Sequence, residues 1–219
     1  MGRPRPEPGA SSVGRAPGPS AAGDAQDAAR IQACRALAER LGYERGHTEQ
    51  VTRLAVELFD ALSGLHGRGD DDRRRLRYAA LLHDIGVPEG TQGHHKRALE
   101  RVLAAPDLPF DRRERLVVGS VARYHRKALP SREHEHFAAL SAQDRERVRC
   151  LAAILRVADG LDRSHRNLVR HVTAEVRPGE ILVRYEAAAL PDEDLAAAQK
   201  KGDLMEAVFG RRLRIEAAP

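Results

Sequence analysis

The segment Tyr78-Ala-Ala-Leu-Leu-His-Asp-Ile-Gly86, with Pro88 just beyond it, ends an apolar run on an adjacent imidazole and carboxylate. Gly is favoured just past a helix end, and Pro soon after it prevents the helix from resuming. His83 and Asp84 are therefore expected in the last turn of a mostly buried helix. Burying a charged carboxylate is costly unless it is paired or bound to a metal. Any fold this chain adopts must bring partners to that point.

Apolar residues at helical spacing predict further helices. One covers about 27–41, with Ile31, Cys34, Leu37, Ala38 and Leu41 on a face and Gly42 ending it. A second covers 44–62 and carries His47 in line with Val51, Leu54, Ala55 and Leu58. The helix with His83 and Asp84 spans about 72–85, after a Gly- and Asp-rich loop at 63–71. A fourth starts near 92, where His95 shares a face with Ala98, Leu99 and Val102 while His94 is offset by one position. A fifth, about 111–126, brings Val117, Val121 and His125 to one side, and a sixth, about 142–161, aligns Val148, Ala152 and Leu155 with Asp159.

A lone histidine on an apolar face is more often a hydrogen-bonded core residue than a ligand. Five helices each carrying such a residue make a poor hydrophobic core and a good metal centre, because sites in helical bundles arise from inward side chains on facing helices. His47, His83, Asp84 and Asp159 are expected to hold one divalent ion, and His95 and His125 a second, with Asp84 bridging. Imidazole and carboxylate without thiolate favour Mn, Fe, Co, Ni or Zn, with Mg also admitted. Asp84 and His125 are the expected catalytic residues, His125 as a ligand or in proton transfer. Lys96, Arg126, Lys127 and Arg163 beside them are the expected contacts for a phosphorylated, anionic small molecule or polyphosphate.

The last fifty residues change character. Val172, Ala174 and Val176 alternate, Pro178-Gly179 turns, and Ile181, Val183 and Tyr185 alternate again, which predicts a β-hairpin. Residues 192–208 are expected to be helical, and 211–215 a short third strand. The predicted fold is mostly α: a disordered leader over 1–25, a helical bundle over 26–170 and a small α+β appendage over 171–219 packed on it. The leader holds five of the 12 prolines and no apolar periodicity.

Composition narrows the classes. Charged residues make up 32% of the chain, and no apolar run approaches the ~20 residues of a membrane span. The sequence reads as cytoplasmic, with Cys34 and Cys150 as core residues in a reducing compartment. The net charge of +5 suits an anionic partner. Aromatics at 4% without Trp argue against stacking of nucleic-acid bases. A homodimer is left open.

The order His47, His83-Asp84, His95, His125, Asp159 resembles the HD superfamily of metal-dependent phosphohydrolases. The flanking words "AALLHDIG", "HHKR", "RYHRK" and "LAAILRVADGLDRSH" look like the C-terminal HD region of the exopolyphosphatase/guanosine pentaphosphate phosphatase family, over roughly residues 28–216. The resemblance implies a helical fold and metal roles for His47, His83, Asp84 and Asp159. Family members often read His-His-Lys-His-Ser where this chain has His94-His95-Lys96-Arg97-Ala98, which leaves the ligand of this segment open between His94 and His95, with helical phase favouring His95. Asp162, Arg163 and His165 also match a family stretch, with outer-shell and structural roles both open.

Two readings follow. In the first, the chain is a metal-dependent phosphohydrolase cleaving a phosphoester or phosphoanhydride of the polyphosphate, alarmone or nucleotide class with a metal-bound hydroxide. In the second, it is a non-catalytic polyphosphate- or alarmone-binding or regulatory module acting with a separately encoded partner. The second follows from the family's full-length members, whose phosphatase chemistry is expected on actin-like domains with a glycine-rich phosphate loop, for which this sequence shows no counterpart.

Overall fold

The computed structural model describes residues 21–219, and the expected leader lies outside them except for its last five positions, which belong to the first helix, α1 (Ala21–Arg40). The chain is mostly helical. After α1 come α2 (Arg45–Ala61), the single turn α3 (Ser63–His66), α4 (Asp70–Leu82), a 3₁₀ turn at Val87–Glu89, α5 (His94–Ala104), α6 (Arg112–Arg123), the single turn α7 (Glu135–Ala138) and α8 (Ala142–Gly160). The single turn α3 falls inside the 63–71 stretch read from the sequence as a loop. Helix starts follow local chemistry. Asp111 accepts the Glu114 N–H at 2.7 Å to cap α6, Ser141 accepts the Asp144 N–H at 3.0 Å to cap α8, and Asp70, Asp71 and Asp72 meet the positive end of α4.

α8 is the centre of the bundle. From Leu151 to Leu155, and again at Val157 and Ala158, its side chains are fully buried. A helix that is apolar all round must be covered all round, and α2, α4, α6 and the later helices α9 and α10 all pack on it. Gly160 sets the closest of these seams, since a Cβ there would collide with the backbone of Ala198 in α9.

The C-terminal part forms the expected hairpin, β1 (Val169–Arg177) and β2 (Glu180–Ala187), antiparallel from Val169↔Ala187 to Arg177↔Glu180. Gly179 takes a left-handed φ of 74° in the turn. The helical run that follows breaks into α9 (Asp192–Lys201) and α10 (Asp203–Phe209) at Gly202, where a Cβ would collide with Leu213. The third strand, β3 (Arg212–Ala217), pairs parallel to β2 from Glu180↔Arg212 to Tyr185↔Ala217. Parallel pairing needs a crossover between the strands, and α9 and α10 supply it. β1 packs on α2 and the crossover helices pack on α8, so one hydrophobic cluster runs from Leu37 to Leu213. No helix among the described residues is long and apolar enough to cross a membrane.

Candidate metal centre

The ends of α2, α4, α5, α6 and α8 converge on one buried group of polar side chains. His47 lies in the first turn of α2, His83 and Asp84 directly follow α4, His94 opens α5, His125 follows α6 and Asp159 closes α8. His47, His83, His94 and His125 are at most 3% exposed.

All four imidazoles are held in the same way. His83 Nδ1 donates to the Ala80 carbonyl at 2.7 Å, His94 Nδ1 to the Thr91 carbonyl at 2.8 Å and His125 Nδ1 to the Ala122 carbonyl at 2.6 Å. Each acceptor is three residues upstream. His47 Nδ1 instead faces Asp162 Oδ2 at 2.9 Å, and Asp162, fully buried, also accepts the Asn167 N–H at 2.8 Å. A carbonyl or carboxylate only accepts, so Nδ1 carries a proton in all four rings, and in His83 and His125, which burial keeps neutral, Nε2 is a lone pair.

The Nε2 atoms point at one another in pairs. His47 Nε2 and His83 Nε2 are 3.4 Å apart, and His94 Nε2 and His125 Nε2 are 3.2 Å apart. Asp84 joins the two pairs. Its Oδ2 lies 3.8 Å and 3.6 Å from the Nε2 atoms of His47 and His83, and its Oδ1 lies 3.2 Å and 3.4 Å from those of His94 and His125. Oδ1 is buried without a hydrogen-bond partner. Asp159 Oδ1 approaches the first pair, 3.5 Å from His47 Nε2 and 3.9 Å from His83 Nε2. His94 Nε2 also faces the Arg126 guanidinium at 3.4 Å, so this cluster of ring nitrogens and carboxylate oxygens already attracts positive charge, and outward Nδ1–H bonds are the outer shell that metal-binding histidines carry. The donor set therefore fits divalent ions. The ligand atoms of His47, His83 and Asp84 lie within 4.8 Å of one another, as do those of Asp84, His94 and His125.

The electrostatics agree. Burial lowers the pKa of His83 and of His125, the latter to about 3, so both rings stay neutral. Burial acts against Asp84 and Asp159 as anions, yet both are held below the usual carboxylate range, Asp84 by His83, His94 and His125 and Asp159 first by Lys201 and then by His47. His47 is pulled down by burial, but Asp159 and Asp162 outweigh that and raise it to about 10, so a divalent ion taken up there would displace the proton on its Nε2.

One residue of the cluster differs from the helical-phase expectation. His94, not His95, joins the cluster. His94 is the first residue of α5, after Gly93 with φ 75°, so the helix entry rather than the apolar stripe aims its ring. His95 sits beside the centre, its ring centroid 5.8 Å from that of His94, with Nδ1 unpartnered and its pKa lowered to about 4 by burial and then by Arg123. Arg97, where family members often have His, ties the entry loop. Its guanidinium donates to the carbonyls of Gly86 at 3.1 Å and Gln92 at 2.9 Å, and to that of Gly90.

A cavity of about 540 Å³ opens onto the centre, with Asp84, His94, His125 and Asp159 in its lining. Six cationic residues share that lining: Arg126, Lys127, Arg156, Arg163, Lys200 and Lys201. Lys96 does not; it is exposed on α5 and outside the lining, because the turn that aims His94 inward carries Lys96 out. Arg156 is paired with Asp203 at 2.7 Å and 3.0 Å, and it donates to the Tyr124 and Lys127 carbonyls at 3.4 Å and 3.3 Å, clamping the turn that follows α6. Lys127, at φ 61°, and His165, at φ 57°, are non-glycine residues in the left-handed region on the cavity wall. The His165 ring also stacks on His47 at 3.9 Å. Lys201 was not expected from the sequence. It pairs with Asp159 Oδ2 across 42 residues, and nothing in its local pattern marks it out from the basic end of an ordinary helix.

The model of the Ppx/GppA phosphatase family, domain III, matches residues 29–199, which take in every residue of the His/Asp centre. The match spans well over half of the sequence, and the chain belongs to the Ppx/GppA phosphatase domain III family.

Proposed function

We propose that the chain is a metal-dependent phosphohydrolase of HD type that cleaves a phosphoester or phosphoanhydride of the polyphosphate, alarmone or nucleotide class. The observation that carries this reading is Asp84, whose two carboxylate oxygens face two separate pairs of imidazole Nε2 atoms. His47, His83, Asp84 and Asp159 hold one ion in this proposal, and Asp84, His94 and His125 the other. Bound there, divalent ions supply Lewis acidity toward a phosphoryl oxygen and lower the pKa of coordinated water to about 7.

The chain's own residues do the rest. Asp162 and the three upstream carbonyls hold the Nδ1 side of each ring and so aim each Nε2 inward. Arg126, Lys127, Arg163 and Lys200 have no ion-pair partner among the described residues and face the same cavity. They hold the phosphate groups, the two arginines in bidentate fashion. Arg156 fixes the main chain from which Arg126 and Lys127 project. The apolar packing of α8 excludes water from the protein side of the centre.

The test is phosphate release from polyphosphate, guanosine tetraphosphate, simple nucleotides and cyclic dinucleotides, with Mn²⁺ present and Asp84→Ala as the control. Turnover is expected, and the variant is expected to lose more than the ~10–100-fold that an outer-shell change brings. Absence of turnover in the folded, metal-bound protein, with tight binding of the same anions, would replace this reading with that of a non-catalytic anion-binding module.

A further inference from the structure

Lys201 occupies two places at once: its ammonium contacts Asp159 Oδ2, and its side chain lines the cavity that opens onto the centre. Asp159 turns its other oxygen toward His47 and His83. Lys201 is therefore the nearest positive charge to a carboxylate that is 7% exposed, and His47 Nε2 at 3.5 Å is the next group that holds it as an anion. A divalent ion seated between His47, His83 and Asp84 takes over that compensation and repels the ammonium.

We propose that Lys201 is a phosphate-binding residue held in reserve: it neutralises Asp159 while the centre is empty and turns into the cavity to meet the substrate anion once the centre is filled. This rests on the metal-dependent reading above. The backbone is built for a side-chain movement alone. Lys201 ends α9, and the next residues are fixed, Gly202 against Leu213 and Asp203 to Arg156 on α8. The Arg156–Asp203 pair stays closed while the Lys201–Asp159 pair opens. Lys200, its neighbour in the same wall, has no acidic partner among the described residues and is free for an anion in both states.

Linkage sets the sign. A contact that stabilises the empty centre more than the filled one weakens metal binding, so its removal must tighten it. The experiment is titration calorimetry of Mn²⁺ into the chelator-stripped full chain, then of pyrophosphate into the Mn²⁺-loaded chain. Lys201→Met is expected to bind Mn²⁺ roughly tenfold more tightly than the wild type and pyrophosphate about tenfold more weakly. Lys201→Gln gives the same pair of readings should Lys201→Met fail to fold, and Lys200→Met leaves Mn²⁺ affinity unchanged. Unchanged or weaker Mn²⁺ binding in both Lys201 variants overturns the proposal, as does tighter Mn²⁺ binding with unaltered pyrophosphate affinity. A wild-type chain that binds no Mn²⁺ removes the metal-dependent reading itself, whereas a wild type that binds it beside unaltered variants removes only the role of Lys201.

Discussion

Gly86 touches the backbone of His94: a Cβ on Gly86 would collide with the His94 carbonyl oxygen and stand 2.9 Å from Arg97 Cβ. The glycine that follows the His83-Asp84 pair is thus also the surface against which α5, the helix carrying His94, seats. Its φ of −91° is open to any residue, so space and not backbone conformation demands glycine here.

Gly86→Ala is expected to push the start of α5 away from Asp84 and to separate His94 from His125. Overpacking of this kind destabilises by about 1–3 kcal/mol. Urea unfolding of the metal-free chain measures that loss, and Mn²⁺ stoichiometry is expected to fall from two ions to one, because only the pair containing His94 is displaced.

Among the described residues Asp162 is the acceptor that faces His47 Nδ1 and sets the direction of its ring. Asp162→Ala leaves His47 Nδ1 and the Asn167 N–H without their partner in a fully buried place. Metal affinity is expected to drop by about 10–100-fold. Stability of the metal-free chain is expected to fall by about 1–3 kcal/mol. Calorimetry and urea unfolding read the two effects separately, and an unchanged metal affinity would reject the orienting role.

His136 gives a pH dependence that can be isolated. Burial and then Arg123 lower its pKa from 6.5 to about 4, and its Nε2 is buried without a partner. Between pH 6.5 and pH 4 the unfolded chain takes up a proton that the folded chain refuses, so stability falls as the pH falls through that window. Urea unfolding of the metal-free chain at pH 7 and pH 5 is expected to show a smaller loss in His136→Gln than in the wild type. Equal losses would mean that His136 titrates normally in the folded protein.

Much of the centre was legible because its residues end apolar stripes. His47, His125 and Asp159 each continue a helical face of Val, Leu and Ala, and Gly86 with Pro88 marks His83 and Asp84 as the close of a helix. The phase argument failed at His94 because a residue in the first helical position is aimed by the loop before it. Lys96 was misplaced for the same reason, its direction following from that of α5's first turn. Lys201 was illegible for a different reason: its partner is 42 residues away, and an exposed-looking lysine at a helix end carries no periodic signal. The parallel pairing of β3 was equally hidden, since alternation reveals a strand but not its direction.

The orientation of the four imidazoles divides the centre by sequence distance. His83, His94 and His125 are each fixed by a carbonyl three residues upstream, whereas His47 is fixed by Asp162, 115 residues downstream. Three rings can therefore be set as soon as their own turns form, and the fourth only when the chain after α8 has closed back onto α2. Contacts of such separation form late because a large loop must first be ordered. A refolding chain would thus pass through a stage with three rings poised and one still free to turn, and a complete set of inward Nε2 atoms reports that the bundle has closed.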